Sequence, residues 1–358
     1  MPLTDQSTQT RAGEELDAAL IDPYLKASIT SLNGVAALPL ISQFPGGASN
    51  LTYLVQYPDQ EFVLRRPPFG QKARSAHDMG REFRIINQLK DAFPYCPKAF
   101  LHCTDETVIG SEFYVMERIK GIILRSDLPP ELNLNAAQTE TLCKSFIDRL
   151  VELHQVDYQA CGLGDLGKPQ GYVERQVRGW GERYDKARTP DAPEWATVKA
   201  WLLDKMPADH SVPALVHNDY RFDNVLLDPN NAMQIIGVLD WEMTTIGDPL
   251  MDLGNTLAYW IEAADPAPVQ LMRRQPSHAP GMLSRRQFVE YYAERSGIAI
   301  DNFDFYYTYG LFRLAGIVQQ IYYRFFHGQT QDKRFAQFIH MNKLLEHMSL
   351  QVIAKSTL

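Results

Sequence analysis

The chain has 358 residues, more than one hydrophobic core ordinarily holds, so two lobes are expected. Hydrophobic residues make up 45% and charged residues 22%, the proportions of a folded globular chain, which excludes a disordered or fibrous one. A formal net charge of -8 argues against non-specific adhesion to nucleic acid or anionic membrane, and the partners expected are small molecules.

Residues 1–15 are polar, carry both charge signs and lack the basic-then-apolar order of a signal peptide. The most apolar early run, residues 35–41, is short and contains Pro39, and no later run approaches the length that crosses a bilayer. Two strand-like runs follow, residues 51–57 and 61–65, with Pro58-Asp59 as the turn between them. Met79, Phe83, Ile86, Leu89 and Phe93 then recur at steps of three and four until Pro94, which predicts a helix with Glu82 beside its apolar stripe.

A second hairpin is predicted from residues 99–104 and 111–118, and Gly121 breaks the pattern ahead of Pro129-Pro130. This divides the chain into an N-terminal lobe, residues 1–120, with residues 1–30 as an extension, and a C-terminal lobe, residues 121–358. From Asn135 onward helical spacing dominates, as in Leu142, Phe146, Leu150 and Leu153, and again in Tyr172, Gln176 and Trp180. Ser284 and Gln287 form a capping-box pattern, and Gly297 stands where a helix would stop. Cys96, Cys103, Cys143 and Cys161 form no C-x-x-C pair and no disulfide framework, so they read as reduced thiols in a cytoplasmic protein.

The polar stretch His217-Asn218-Asp219-Tyr220-Arg221-Phe222-Asp223-Asn224, followed by Val238-Leu239-Asp240-Trp241-Glu242, holds the chemistry. Residues 225–227 and 234–239 are short apolar runs separated by Asp228-Pro229-Asn230-Asn231, a hairpin pattern whose open end is flanked by Asn224 and Asp240. Residues paired across antiparallel strands stand about 4.5 to 5.5 Å apart, close enough for an amide oxygen and a carboxylate to share one magnesium-nucleotide. Asp219, five residues before Asn224, can accept a proton from a substrate hydroxyl.

H-x-D with Asn five residues on and an Asp closing a hairpin resembles protein kinases and aminoglycoside phosphotransferases, as do Gly247-Asp248-Pro249 and Asp252-Leu253 behind it. Gly162-Leu163-Gly164, the run from Gly171 to Gln176 and the run from Tyr292 to Gly297 are similar to kinase-like domains related to, and sometimes fused with, acyl-CoA dehydrogenases. The resemblance extends over roughly residues 42–328. It implies an α+β, protein-kinase-like two-lobed fold, with an N-terminal antiparallel sheet plus helix and a mainly helical C-terminal lobe. No dehydrogenase activity is expected, because the chain has no room for a flavin domain as well.

On the nucleotide side the resemblance is carried residue by residue. Residues 44–50, Phe-Pro-Gly-Gly-Ala-Ser-Asn, stand where glycines let backbone amides approach phosphates, which makes Ser49 and Asn50 candidates, although a plain turn is the competing reading. Arg65 occupies the place of the kinase lysine, unless the register shifts to Arg66, and Glu82 that of its helix glutamate. Met116 and Arg118 are similar to the hinge that receives adenine, or belong to an ordinary edge strand. Arg221 matches a lysine that neutralises the transferring phosphoryl group, or is a solvated arginine. His217 supports the loop, and Glu242 is either a second acid near the metal or a loop-fixing carboxylate.

The expected activity is ATP- and Mg2+-dependent phosphoryl transfer to a hydroxyl of a small molecule. Asp219 is the base, Asn224 and Asp240 the metal ligands, and Arg65 and Arg221 offset phosphate charge. The acceptor is a hydroxyacyl-CoA-like metabolite or an aminoglycoside-like compound. Arg273, Arg274, Arg285 and Arg286 form an arginine cluster in the Pro-rich segment 262–286, suited to coenzyme A phosphates or merely solvated. The aromatic tract 303–326 lines a cleft or forms helix core. The alternative function is a catalytically silent nucleotide-binding regulatory module. Oligomeric state is not encoded in any pattern found.

Overall fold

The computed structural model describes residues 3–45, 50–68, 78–209 and 212–358. In chain order, helix α1 (Ala18–Ser28) precedes strands β1 (Leu40–Gln43), β2 (Leu51–Gln56) and β3 (Glu61–Arg66), helix α2 (Met79–Leu89), and strands β4 (Ala99–Cys103) and β5 (Phe113–Glu117). Then come α3 (Ala136–His154), α4 (Tyr172–Ala187), α5 (Ala196–Asp204), β6 (Ala214–Val216), β7 (Val225–Asp228), β8 (Asn231–Val238) and β9 (Thr245–Gly247). Helices α6 (Pro249–Ala258), α7 (Ala267–Gln270), α8 (Arg285–Ser296), α9 (Asp304–Phe326) and α10 (Phe338–Lys355) complete the chain. None of these helices is long and apolar enough to cross a membrane, among the described residues.

Two compact units form, and the first is discontinuous in sequence: Met1–Ile123, Ala160–Leu163 and Val225–Met243. Its sheet is antiparallel in the order β1-β2-β3-β5-β4. Period-two alternation decides which side chain goes where. Phe62 and Leu64 of β3 join Tyr53, Val55, Val115 and the α1 residues Ile21 and Leu25 in one apolar cluster. Val63 and Arg65 are therefore on the opposite face, where the Arg65 guanidinium meets α2. Helix α2 starts at Asp78, whose side chain accepts from the Arg81 N–H, and ends at Leu89; Phe93 stays buried in the turn beyond, where its N–H donates to the Leu89 carbonyl. The hairpin β7-β8 also belongs to this unit, pairing Val225 with Val238.

The second unit, Leu124–Gln159, Gly164–Asn224 and Thr244–Leu358, is mainly helical. Helix α9 is its axis. Its aromatic residues Phe305, Tyr309 and Phe312 are almost wholly buried, so this stretch of the 303–326 tract is helix core, while Phe326 at its end is exposed. Helix α6 crosses α9 with almost no space between backbones: a Cβ on Gly254 would fall 2.2 Å from the Tyr306 carbonyl oxygen, and one on Gly310 2.1 Å from that of Gly254. Helix α8 has the predicted capping box of Ser284 and Gln287, and Gly297 ends it at φ 74°.

Candidate functional site

The segment 217–224 enters from β6 and rests on an aromatic floor. Phe146 of α3 has its ring centroid 4.4 Å from that of Tyr220 and 4.3 Å from that of Phe222, and the Tyr220 hydroxyl donates to the Phe146 carbonyl. Above that floor the polar side chains converge. Asn224 Nδ2 donates to the Asp219 carbonyl at 2.8 Å and to Asp219 Oδ2 at 3.0 Å, which spends the amide nitrogen and turns the choice of ligand atom to its oxygen. Arg221 Nε lies 3.0 Å from Asp219 Oδ1 and Nη2 3.3 Å from Asp223 Oδ2, while its guanidinium carbon stands 4.5 Å from the Tyr259 ring centroid. Burial works against the Arg221 charge, but Asp219, Tyr259 and Asp223 outweigh it and hold its pKa above the usual arginine range. Burial pushes the Asp223 carboxyl up, Arg221 opposing.

Two residues of this loop are held from behind. Asp252 of α6 accepts the His217 N–H at 2.7 Å and the Asn218 N–H at 2.8 Å. It also meets His154 Nε2 at 3.1 Å, and His154 Nδ1 lies 2.7 Å from the Tyr292 hydroxyl. Burial would raise the Asp252 carboxyl, but His154 and the His217 backbone pull it below the ordinary aspartate range. The Asp219 N–H lies 3.3 Å from His217 Nδ1, so the histidine ring supports the loop.

In the first unit a different cluster forms around one cation. Arg65 Nη1 donates to Glu82 Oε1 at 2.5 Å, its Nη2 to Asp240 Oδ1 at 3.0 Å, and Glu242 Oε2 lies 3.8 Å away. Burial disfavours the charge, yet Glu82 and the other neighbours keep Arg65 protonated, well above the ordinary arginine value. Burial pushes the Glu82 carboxyl up, Arg65 opposes that, and Asp240 adds to it. Helix α2 also grips the 240–243 segment itself: the Trp241 N–H donates to Glu82 Oε1 at 3.2 Å, and Arg81 Nη1 to the Glu242 carbonyl at 3.0 Å. Asp240 sits at φ 68°, a conformation few non-glycine residues adopt.

Asn50 joins this group through Nδ2, which donates to Glu242 Oε2 at 2.9 Å. Ser49 lies outside the described residues. Arg66 is on the other face of β3, where its Nη1 donates to the Ile109 carbonyl. Met116 is buried in β5 opposite Val63. Arg118 stacks on Phe44 at 4.7 Å, and its Nη2 donates to the Asp5 carbonyl at 2.5 Å.

Of the arginines in the 262–286 segment, Arg273 pairs with Asp127 at 2.9 Å, Arg285 with Asp265 at 2.6 Å and Arg286 with Glu290 at 2.7 Å, so three of the four are already matched within the protein. Arg313 of α9 and Asn255 of α6, which carry no motif of their own, and Tyr172 of α4, from the run between Gly171 and Gln176, are each hydrogen-bonded to Asn218.

No group of three His, Cys, Asp or Glu side chains suited to a metal occurs among the described residues. A hard divalent ion that keeps water and phosphate ligands needs only one or two protein oxygens, and an amide oxygen on Asn224 and the second carboxylate oxygen of Asp240 are of that type.

A five-stranded antiparallel sheet with α1 packed on one face and α2 on the other, a mainly helical second unit and an Asp-x4-Asn loop define a kinase-like phosphotransferase. The chain belongs to the APH phosphotransferase enzyme family, whose model matches residues 40–288. It is 34% identical over 331 residues to mouse acyl-CoA dehydrogenase family member 10, covering 92% of this chain and 30% of that protein. The chain spans less than half the length of the curated relatives it matches. Among solved structures, one from Ralstonia eutropha assigned as an aminoglycoside phosphotransferase is 28% identical with a TM-score of 0.80, covering 96% of this chain and all of the other. The GDP and kanamycin complex of an APH(2″) enzyme, 15% identical with a TM-score of 0.60 over 92% and 98% of the two chains, shares the fold.

Proposed function

We propose that the protein is a small-molecule kinase that transfers the γ-phosphoryl group of ATP to a hydroxyl, with magnesium as its ion. The observation that carries this reading is the Arg65 cluster: one buried cation faces Glu82, Asp240 and Glu242, an excess of negative charge that a divalent ion on Asp240 would offset. Arg65 then has an arm to offer to the nucleotide phosphates, as an arginine fork can.

Asn224 and Asp240 would hold the ion, which supplies charge neutralisation for the phosphates when bound. Asp219 would take the proton of the acceptor hydroxyl. Its carboxylate is oriented by Asn224 Nδ2 and Arg221, so the side chain is fixed before any acceptor arrives. Arg221 would shift from Asp219 and Asp223 toward the transferring group. Asn50, with Ser49 beside it in sequence, would meet the phosphates, and the Met116 and Arg118 backbone the adenine. Residues 1–120 would form the nucleotide-binding lobe and residues 121–358 the catalytic and substrate-binding lobe, which brings the ion ligands Asn224 and Asp240.

Support for nucleotide use also comes from the GDP complex of the fold neighbour. For the acceptor, similarity to acyl-CoA dehydrogenase family proteins favours a hydroxyacyl-CoA-like metabolite, and the fold neighbour's kanamycin an aminoglycoside-like compound. The deciding experiment has two stages. Thermal unfolding is followed with magnesium and a non-hydrolysable ATP analogue, and a panel of hydroxyacyl-CoA thioesters, aminoglycosides and amino alcohols is then assayed for transfer of labelled γ-phosphate. A melting temperature indifferent to magnesium-nucleotide, together with no labelled product, ends the proposal.

A further inference from the structure

Asn218 is the residue just before Asp219, and its backbone is left-handed, at φ 64°. For asparagine this conformation is tolerated rather than preferred, and it persists where surrounding contacts over-determine it. Three helices do so. Asp252 of α6 accepts its N–H at 2.8 Å, and Asn255 of α6 and Tyr172 of α4 donate to its side-chain oxygen at 3.1 and 3.3 Å. The remaining backbone group, its carbonyl, accepts from Arg313 Nη2 of α9 at 2.8 Å.

That carbonyl and the Asp219 N–H belong to the same peptide plane. On the N–H side the hydrogen bond to His217 Nδ1 is long, 3.3 Å, so the arginine bond at 2.8 Å is the firmer hold on the plane. Arg313 is itself fixed: it is 4% exposed and its guanidinium carbon lies 5.3 Å from the Trp180 ring centroid. Burying a guanidinium at that depth costs free energy that a purely structural aliphatic side chain would avoid. The Gly254–Gly310 crossing sets the spacing of α6 and α9, and so of the two helices that hold Asn218 from its N–H and carbonyl sides.

We propose that Arg313 is a positioning residue that sets the Asn218–Asp219 peptide plane, and through it the direction of the Asp219 carboxylate. This rests on the reading of Asp219 as the acceptor base. Rotation of that plane would swing Asp219 away from the acceptor while leaving the nucleotide-side residues of the first unit untouched. Small misplacements of a reacting group cost up to about a hundredfold in rate.

The test uses the full chain with Arg313→Gln and Arg313→Lys, and Asp219→Asn as control. Two quantities are read: hydrogen exchange of the peptide spanning 217–224, and release of labelled phosphate from magnesium-ATP together with ATP affinity. The expected result is faster exchange confined to that peptide, and turnover falling by about tenfold to a hundredfold in the glutamine variant and by less in the lysine variant, which keeps a cationic donor. ATP affinity should stay within about twofold in both. Where the glutamine variant does not fold, the lysine variant decides by the same readings. Unchanged exchange at 217–224 overturns the proposal, and so does turnover falling in step with ATP affinity or not falling at all. Turnover that survives in Asp219→Asn instead refutes the base assignment, and exchange alone then judges whether Arg313 sets the loop.

Discussion

Arg65 and Asp240 are joined by one arm of a guanidinium, Nη2 to Oδ1 at 3.0 Å, while the other arm is held by Glu82. A lysine, with a single charged nitrogen, cannot reproduce both contacts in that planar geometry. Arg65→Ala leaves buried Glu82 without its cation, and the loss of stability expected in a urea titration is about 3–5 kcal/mol. Arg65→Lys should lose less, because one carboxylate remains paired. Both should weaken magnesium-ATP binding by calorimetry, alanine more than lysine.

Asp219 can be tested without disturbing the nucleotide cluster. Asp219→Asn keeps the shape of the side chain and its place beside Asn224 Nδ2, but removes the proton acceptor. Turnover should fall by about a hundredfold or more, with the ATP dissociation constant changed by less than about twofold. Equal losses of turnover and of affinity would show that Asp219 serves binding instead.

Asp240 and Asn224 are separable by their metal dependence. Asp240→Ala removes a charged oxygen and should raise the ATP dissociation constant strongly in magnesium and little in a chelator. Asn224→Ala should do the same more weakly, because a neutral amide is lost. It should also release Asp219, whose carbonyl and carboxylate both accept from Asn224 Nδ2. Magnesium-independent loss in both variants would remove them from the metal site.

How much of this was readable from the residues depends on how local the cause is. The strands around Pro58-Asp59, the helix with Glu82 and the hairpin after Asn224 follow from alternation, helical spacing and turn chemistry, all short-range signals. The five-residue step from Asp219 to Asn224 is likewise local, and the two do meet. Choosing between Arg65 and Arg66 is different, since two adjacent arginines give the alternation no preference. What decides is that Phe62 and Leu64 turn toward α1, which sends Arg65 to α2. The arginines of the 262–286 segment were unreadable for a related reason. Charge patterning reveals cations but not that Asp265 lies 20 residues from Arg285 in sequence and against it in space. Arg313, 95 residues beyond Asn218, belongs to a helix whose pattern announces only burial.

Asp252 makes the acid limb of stability predictable in sign. Its folded pKa is lowered, so the stability it contributes is fully present above its unfolded value, near 3.8, and is lost as pH falls through the folded value. Asp252→Asn removes that contribution and should flatten the acid limb of a stability profile below about pH 4. At neutral pH the same variant should be less stable than the parent, because an amide must place a donor where His217 and Asn218 present N–H groups. A parent-like acid limb in Asp252→Asn would show that other carboxylates govern acid unfolding.

The α6–α9 crossing offers a test of packing in the second unit that touches no polar group. At Gly254 an added methyl would meet the Tyr306 carbonyl at 2.2 Å, and at Gly310 the Gly254 carbonyl at 2.1 Å. Both obstacles are backbone, so relief requires the helices to move apart rather than a side chain to turn aside. Overpacking of this kind costs about 1–3 kcal/mol or more, and each Gly→Ala change should lower the thermal midpoint despite alanine's better helix propensity. Gly181 of α4, where an added methyl has open space around it, is the control: Gly181→Ala should be neutral or stabilising by about 0.5–1 kcal/mol. If Gly254→Ala and Gly181→Ala shift the midpoint alike, the close approach of α6 and α9 is not a constraint on the fold. If only Gly254→Ala and Gly310→Ala are destabilised, the crossing is the contact that fixes where α6 presents Asp252 and Asn255.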